Sequence, residues 1–378
     1  GAAFHIARDP RVGAGEAYMD GRLVIEPPHD IRDFVLFVMG QKAGGKIAPP
    51  SGIQRFAEKI LSRLDQINDR ARASRNVVHH YDLTRQFYEL FLDEDRQYSM
   101  AYFRDPASSL ERAQIDKKAL IAAKLRLEPG MRVLDIGGGW GGLALYLNRH
   151  FGCEVTGVSL APDQVRFANE RAEAAGVADK VRFQLIDYRD VKGSFDRITS
   201  VGMIEHVGRG NFDEYFGKTR DLLAEDGIML THTIGRRSPP GTTDKWTRKY
   251  VFPGGYIPAM SELVAAMERT GWEVADVEVL RYHYAETIAE WYRRAAMHEA
   301  EITALYDARL FRMWQFYLAG AEQSFRHGGM VNFHIQSIRR RDAVPMTRDY
   351  IVHEAARLSA LDEAPAWHLA AGAKDAAE

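Results

Sequence analysis

The amino-acid sequence predicts a doubly wound α/β fold: a mostly parallel sheet with a late antiparallel strand, a helical insertion and a smaller N-terminal domain. Three observations carry that prediction. From Met131 onward, short aliphatic runs alternate with stretches of helical periodicity, the pattern of a parallel sheet with helices on both faces. The first run ends in Asp135 and passes through Gly137, Gly139 and Gly142 into a helix. The last run, Val331 to Arg339, follows a long helical stretch, and such a returning strand lies antiparallel at or near a sheet edge.

Residues 1–75 have their own character. Asp20-Gly21 signals a turn before a short strand-like stretch, Arg22 to Ile25, which Pro27-Pro28 stops. Ile31 to Met39 is nearly all apolar, and Gly40 to Gly52 is a glycine- and proline-rich break. Over Ile53 to Arg75, Ile53, Phe56, Ile60, Leu64 and Ile67 fall on one helical face, with Arg55, Lys59, Arg63, Arg70, Arg72 and Arg75 elsewhere. A basic amphipathic helix suits anionic lipid headgroups, and equally suits docking on the main domain or on a second subunit. Residues 1–75 are therefore expected to form a lipid-docking or dimerisation domain, 76–352 the main domain, and 353–378 a tail that frays beyond Leu358.

His79-His80-Tyr81-Asp82-Leu83 leads into an apolar helix around Phe87 to Leu92, and Tyr98 to Phe103 follows as an aromatic loop. Adjacent histidines diverge, so they read as capping or packing groups and not as ligands of one metal. The expected strands are Arg132 to Ile136, Glu154 to Val158, Val181 to Leu185, Arg197 to Val201 and Ile228 to Thr233. Helices are expected around Leu143 to His150, Asp163 to Ala175 and Phe212 to Ala224, with a short piece near Tyr188. A loop from Gly235 to Pro258, a helix from Ser261 to Thr270, a strand from Glu273 to Arg281 and a helical insertion from Ala285 to Phe325 complete the main domain.

Lysine plus arginine number 50 against 52 aspartate plus glutamate, a net charge of -2, so no global field favours nucleic acid. The single cysteine, Cys153, excludes an intrachain disulfide and any multi-cysteine metal site, and reads as a buried inert thiol. No apolar run reaches the roughly 20 residues of a membrane span and no signal peptide is visible, so a soluble, cytoplasmic protein is expected.

The spacing Gly137-x-Gly139-x-x-Gly142 fits a dinucleotide fingerprint, but alone it is a weak signal. Dinucleotide folds hold a ribose with an acidic residue at the end of the second strand, where this chain has Ser159-Leu160. The acidic residue here is Asp135, ahead of the glycines, which suits a cationic ligand and repels a pyrophosphate. That favours S-adenosylmethionine. Ligands of such sheets bind outside the carboxyl ends of the strands. Five polar stretches converge there: Asp135 to Gly139, Ser159 to Gln164, Asp187-Tyr188, Met203 to His206 and His232 to Ile234. Asp187 is placed to accept from an adenine amino group and Tyr188 to stack on the ring. Glu205, His206 and His232 bring ionisable groups to where a proton could be handled.

Taken together, several motifs resemble a known family. They are His80-Tyr81-Asp82-Leu83, Gln97-Tyr98-Ser99-Met100-Ala101-Tyr102-Phe103, Leu134 to Gly142, Gly202-Met203-Ile204-Glu205-His206-Val207-Gly208, His232-Thr233-Ile234-Gly235 and Tyr250-Val251-Phe252-Pro253-Gly254-Gly255. In this order they look like cyclopropane-fatty-acyl-phospholipid synthases and the related mycolic acid cyclopropane synthases, with a looser likeness at Gly15 to Gly21. The resemblance implies a Rossmann-like class I methyltransferase that moves a methyl group from S-adenosylmethionine to a cis double bond of an unsaturated phospholipid acyl chain. Loss of a proton from that methyl then closes a ring.

By the same resemblance the base is a bound bicarbonate, held by the side chains of Glu205, His232 and Tyr292 and by the main chain of Ile234 and Met100. Cofactor contacts carry over to Tyr98, Ser99, Gly137, Gly139, Ser159, Leu160, Gln164, Asp187 and Tyr188. The implied setting is the inner membrane surface, with peripheral binding and a homodimer left open. Two departures bear on the product: Met100 stands where the family has cysteine, and Ala321 replaces a second cysteine. A cation that undergoes hydride shift gives a methyl- or methylene-branched chain and no ring. A non-catalytic lipid- or cofactor-binding homologue and a methyltransferase of soluble acceptors remain as other readings.

Overall fold

The structure is a computed structural model that describes residue 6, residues 10–43 and residues 83–362. The helix expected over Ile53 to Arg75 and the His79 to Asp82 stretch lie outside the described residues.

The sheet contains β1 (Arg132–Ile136), β2 (Glu154–Ser159), β3 (Val181–Leu185), β4 (Phe195–Val201), β5 (Leu223–Arg236), β6 (Glu273–Leu280) and β7 (Met330–Ile338). Their spatial order is β3-β2-β1-β4-β5-β7-β6. The first five pair parallel, and β7 lies antiparallel between β5 and β6, one strand in from the edge. Expected strand positions match within a few residues. β5 reaches further at both ends, so the helix expected from Phe212 to Ala224 stops at Leu222, where the chain turns into the ladder.

Helices cover both faces, as buried strands require. On one side pack α4 (Leu110–Leu125), α5 (Gly142–Phe151) and α6 (Pro162–Ala174); on the other pack α8 (Phe212–Leu222) and α10 (Met260–Arg269). The Ser109 hydroxyl starts α4 by accepting from the Arg112 N–H. The expected loop from Gly235 to Pro258 contains a short helix, α9 (Lys245–Tyr250), which Asp244 caps. The helical insertion resolves into α11 (His283–Met297), α12 (Glu299–Leu305) and α13 (Ala308–Arg326).

Two N-terminal helices, α1 (Pro10–Met19) and α2 (Ile31–Ala43), pack on the insertion: Met19 and Ile31 share one buried cluster with Trp291 and Trp314. The stretch from Arg22 to Ile25 forms no strand. The Arg22 and Leu23 N–H groups instead donate to the Ala17 carbonyl and close the end of α1. At the other end a last helix, α14 (Asp349–Leu361), crosses the boundary drawn at 352 and packs on α4. It does not fray at Leu358: the Ser359 hydroxyl donates to Asp116 at 2.6 Å, and Asp362 accepts from the Tyr146 hydroxyl at 3.0 Å.

Candidate active site

The glycine turn after β1 takes its shape from backbone conformation. Gly137 has φ +84° and Gly139 φ +53°, values that side chains resist. A Cβ on Gly139 would meet only the Gly137 carbonyl, at 3.9 Å, so the space beside it is open to a ligand. Gly142 is glycine for a different reason: a Cβ there would collide with the Asp95 carboxylate. Asp95 cannot retreat, because Lys118 holds it at 2.6 Å and Arg171 at 2.5 Å, and Arg171 also donates to the Trp140 carbonyl.

The loop carrying Tyr98 and Ser99 is fastened to α4. Gln114 donates to the Ser99 carbonyl at 3.0 Å. Lys117, wholly buried, donates to the Ser99 hydroxyl at 2.8 Å and to Gln97 Oε1 at 2.7 Å. Burial pushes the Lys117 pKa down, and nearby carboxylates oppose that. Asp135 is buried on β1; burial pushes its carboxyl up to about 7 and the Lys117 charge pulls it back. A cationic ligand beside Asp135 would favour its ionised form.

Tyr98 stacks on Trp291 with centroids 5.2 Å apart and meets Tyr88 edge-on at 5.4 Å. Phe91, Trp314, the wholly buried Met100 and the Ile234 side chain belong to the same cluster. It is a dry, aromatic-walled region beside the strand ends.

At the end of β5, Glu205 Oε1 accepts the Ile234 N–H at 2.6 Å, while Oε2 is buried with no partner among the described residues. Burial pushes the Glu205 carboxyl up to about 7, against the pull of hydrogen bonds from its own and the Ile234 backbone and from the Thr233 hydroxyl. His232 uses both ring nitrogens on β7: Nε2 lies 2.6 Å from Asn332 Nδ2, and Nδ1 lies 2.8 Å from His334 Nε2. Burial holds its pKa well below the usual value, so the ring is neutral. His206 is likewise pushed down to about 4 by burial.

The other expected residues divide. Ser159 ends β2 and its hydroxyl accepts from the Ala161 N–H at 3.2 Å; Leu160 is half-buried and Gln164 is buried in the first turn of α6. Asp187 stands at the end of β3, with both carboxylate oxygens bound by Arg189 at 2.9 and 2.7 Å. The Tyr188 ring is not open for stacking: it packs edge-on against Tyr215 at 5.1 Å in the core. Tyr292 takes its polar contacts from the N-terminal helices. The Arg32 guanidinium covers its ring at 4.5 Å, and it lines an outward cavity of about 870 Å³ with Asp30, Phe103 and Met297. Its ionisable neighbours are Asp30, Tyr18, Arg32 and Glu322.

Sequence reasoning missed Lys117, Lys124, Asn332 and His334. The signals were present: lysines inside the apolar run of α4, and polar residues alternating along β7.

The description "Mycolic acid cyclopropane synthetase" matches residues 68–335. The chain belongs to this family. It is 36% identical over 321 residues to the cyclopropane-fatty-acyl-phospholipid synthase of Escherichia coli strain K12, covering 85% of this chain and 81% of that protein. It is 38% identical over 274 residues to a probable fatty acid methyltransferase of Pseudomonas putida, covering 71% and 69%. A solved mycolic acid cyclopropane synthase complexed with SAH and CTAB superposes with a TM-score of 0.67 at 30% identity, covering 70% of this chain and 97% of that one. The chain is thus an S-adenosylmethionine-dependent methyltransferase. The open Gly137–Gly139 turn and the buried Asp135 fit that cofactor's cationic end. Among the described residues no helix is long and apolar enough to cross a membrane, and no acid, histidine and cysteine cluster is arranged to hold a metal.

Proposed function

We propose that the protein adds the methyl carbon of S-adenosylmethionine to the cis double bond of an unsaturated phospholipid acyl chain and closes a cyclopropane ring. The observation that carries this reading is Glu205: a buried carboxyl with one oxygen anchored by the Ile234 N–H and the other with no hydrogen-bond partner among the described residues, close to an aromatic cluster that Ile234 joins. When bound, the cofactor supplies an electrophilic methyl group. The alkene would take that methyl while the S–CH3 bonding pair stays on sulfur, leaving a neutral thioether and a carbocation on the lipid; loss of a proton from the added carbon would then supply the pair that closes the ring.

The chain's own residues meet three needs of that reaction. The aromatic cluster around Tyr98 and Trp291 supplies π density that can stabilise a cation lying beside it. The apolar cluster around Met100 excludes water that would quench it. Glu205 Oε2 takes the proton, and a carboxyl poised near 7 serves as a base at neutral pH. Cofactor binding is assigned to the Gly137–Gly139 turn, Asp135, the Tyr98-Ser99 loop, Ser159, Leu160, Gln164 and Asp187.

Bicarbonate as the base is a second reading, favoured by the unpaired Glu205 Oε2, which could accept from its hydroxyl. Against it, the Ile234 N–H and both His232 nitrogens are already engaged. Removing bicarbonate from the assay separates the two, since turnover persists if Glu205 acts directly. A phospholipid substrate would be met at a membrane surface, and we take this to be peripheral binding on the inner one.

The test is incubation with methyl-labelled S-adenosylmethionine and unsaturated phospholipid vesicles. Label enters the lipid with the native protein and not with Glu205→Ala, which retains cofactor affinity. Absence of label in lipid while the native protein binds cofactor sinks the proposal. A branched product would show Met100 redirecting the cation.

A further inference from the structure

Behind His232 runs a buried polar row that ends at the sheet edge. His232 on β5 faces His334 on β7 in register, and His334 faces Glu278 on β6. Lys124 reaches down from α4 onto the same row, with its ammonium 3.1 Å from His334 Nδ1 and 2.5 Å from Glu278 Oε2. His334 and Lys124 are wholly buried, whereas the Glu278 side chain is 27% exposed. Packing alone does not ask for this set, because apolar residues of like volume in such a row are often as stable or more so.

The row has a direction. An ammonium has donors only, so Lys124 donates to His334 Nδ1. The one proton of neutral His334 then sits on Nε2 and is donated to His232 Nδ1, which leaves the His232 proton on Nε2. Burial keeps both rings neutral, as this bookkeeping needs. His232 Nε2–H in turn needs an acceptor, and its neighbour at 2.6 Å is the Asn332 amide. A half-turn of that amide, which exchanges atoms of nearly equal size, brings the carbonyl oxygen to His232. The NH2 then occupies the place of Asn332 Oδ1, a buried atom with no partner among the described residues. Asn332 pairs in register with Ile234, whose N–H holds Glu205. The opposite direction requires Lys124 as a neutral amine. Burial, the larger effect, lowers the Lys124 pKa and the Glu278 carboxylate opposes it; the 2.5 Å contact with a carboxylate oxygen is the geometry of an ammonium donor.

We propose that Glu278, Lys124 and His334 are positioning residues: together they fix His232 as its Nε2–H tautomer and turn the Asn332 amide so that its carbonyl oxygen accepts from His232 and its NH2 takes the place of the partnerless Oδ1. A charge pair at the sheet edge thereby sets the hydrogen-bond polarity of the site, as an orienting carboxylate does for a catalytic histidine. The role in turnover rests on the reaction proposed above, but the tautomer does not.

The test is 15N NMR of the full-length protein with labelled histidines, comparing the native chain with Lys124→Met and with the milder Glu278→Gln; His232 is assigned by the signal lost in His232→Gln. The native protein is expected to show His232 protonated at Nε2, and Lys124→Met a mixture or the Nδ1–H form. In the vesicle assay both variants lose about tenfold in kcat, one hydrogen bond's worth, with KM for S-adenosylmethionine unchanged. His232 protonated at Nδ1 in the native protein, or at Nε2 undisturbed in a folded Lys124→Met variant, overturns the proposal whatever the lipid assay shows. If Lys124→Met fails to fold, the same comparison is read on Glu278→Gln, where an unchanged tautomer and unchanged kcat overturn it.

Discussion

Replacing Glu205 by glutamine should stabilise the fold in a pH-dependent way while abolishing turnover. Burial pushes the carboxyl from 4.5 to about 7. Between those values the folded protein holds a proton that the unfolded chain has released, so this group's contribution to stability falls as pH rises through the window. Complete ionisation costs the fold about 3 kcal/mol, taking about 1.4 kcal/mol for each pH unit. Glutamine keeps an oxygen for the Ile234 N–H and never ionises. Urea unfolding of both proteins at about pH 4 and about pH 8 measures the difference directly. The variant's advantage should grow by about 3 kcal/mol from the acid to the alkaline condition. An advantage that stays constant, or shrinks, refutes the claim that the fold strains against the Glu205 charge.

Lys117→Met removes two charge-assisted hydrogen bonds that hold the Tyr98-Ser99 loop; calorimetry should show S-adenosylhomocysteine binding weakened by about tenfold or more. The two glycines separate by readout. Gly139→Ala meets open space but a strained φ, so it costs about 1 kcal/mol and mainly weakens cofactor binding. Gly142→Ala drives into the anchored Asp95 and should lower the melting temperature more than Gly139→Ala does. Tyr292→Phe keeps the ring under Arg32, and kcat should stay within about twofold of native; a large fall in kcat would restore its hydroxyl to the reaction.

Much of the fold was legible because alternation of strand and helix is a local signal. β1 and β3 came out residue for residue, and the antiparallel strand was readable from the helical excursion before it. The stretch from Arg22 to Ile25 misled because two N–H groups that could have joined a ladder close a helix instead, a contact that periodicity does not encode. The shape of the candidate site was legible where main-chain geometry decides it, in the positive φ of Gly137 and Gly139. It was less legible where partners are remote in sequence. Tyr188 turned into the core against Tyr215, and Tyr292 turned toward Arg32. Lys117, Lys124 and His334 each look like strays in an apolar pattern until three elements bring their partners together.

Ring closure demands that the transferred methyl group lose one hydron, and this can be counted. With S-adenosylmethionine carrying a trideuterated methyl group and unsaturated phospholipid vesicles as acceptor, mass and NMR analysis of the lipid should show two deuteriums on a cyclopropane carbon and no residual unsaturation. Three deuteriums retained on a methyl group, or deuterium recovered only on a soluble acceptor, would contradict the account.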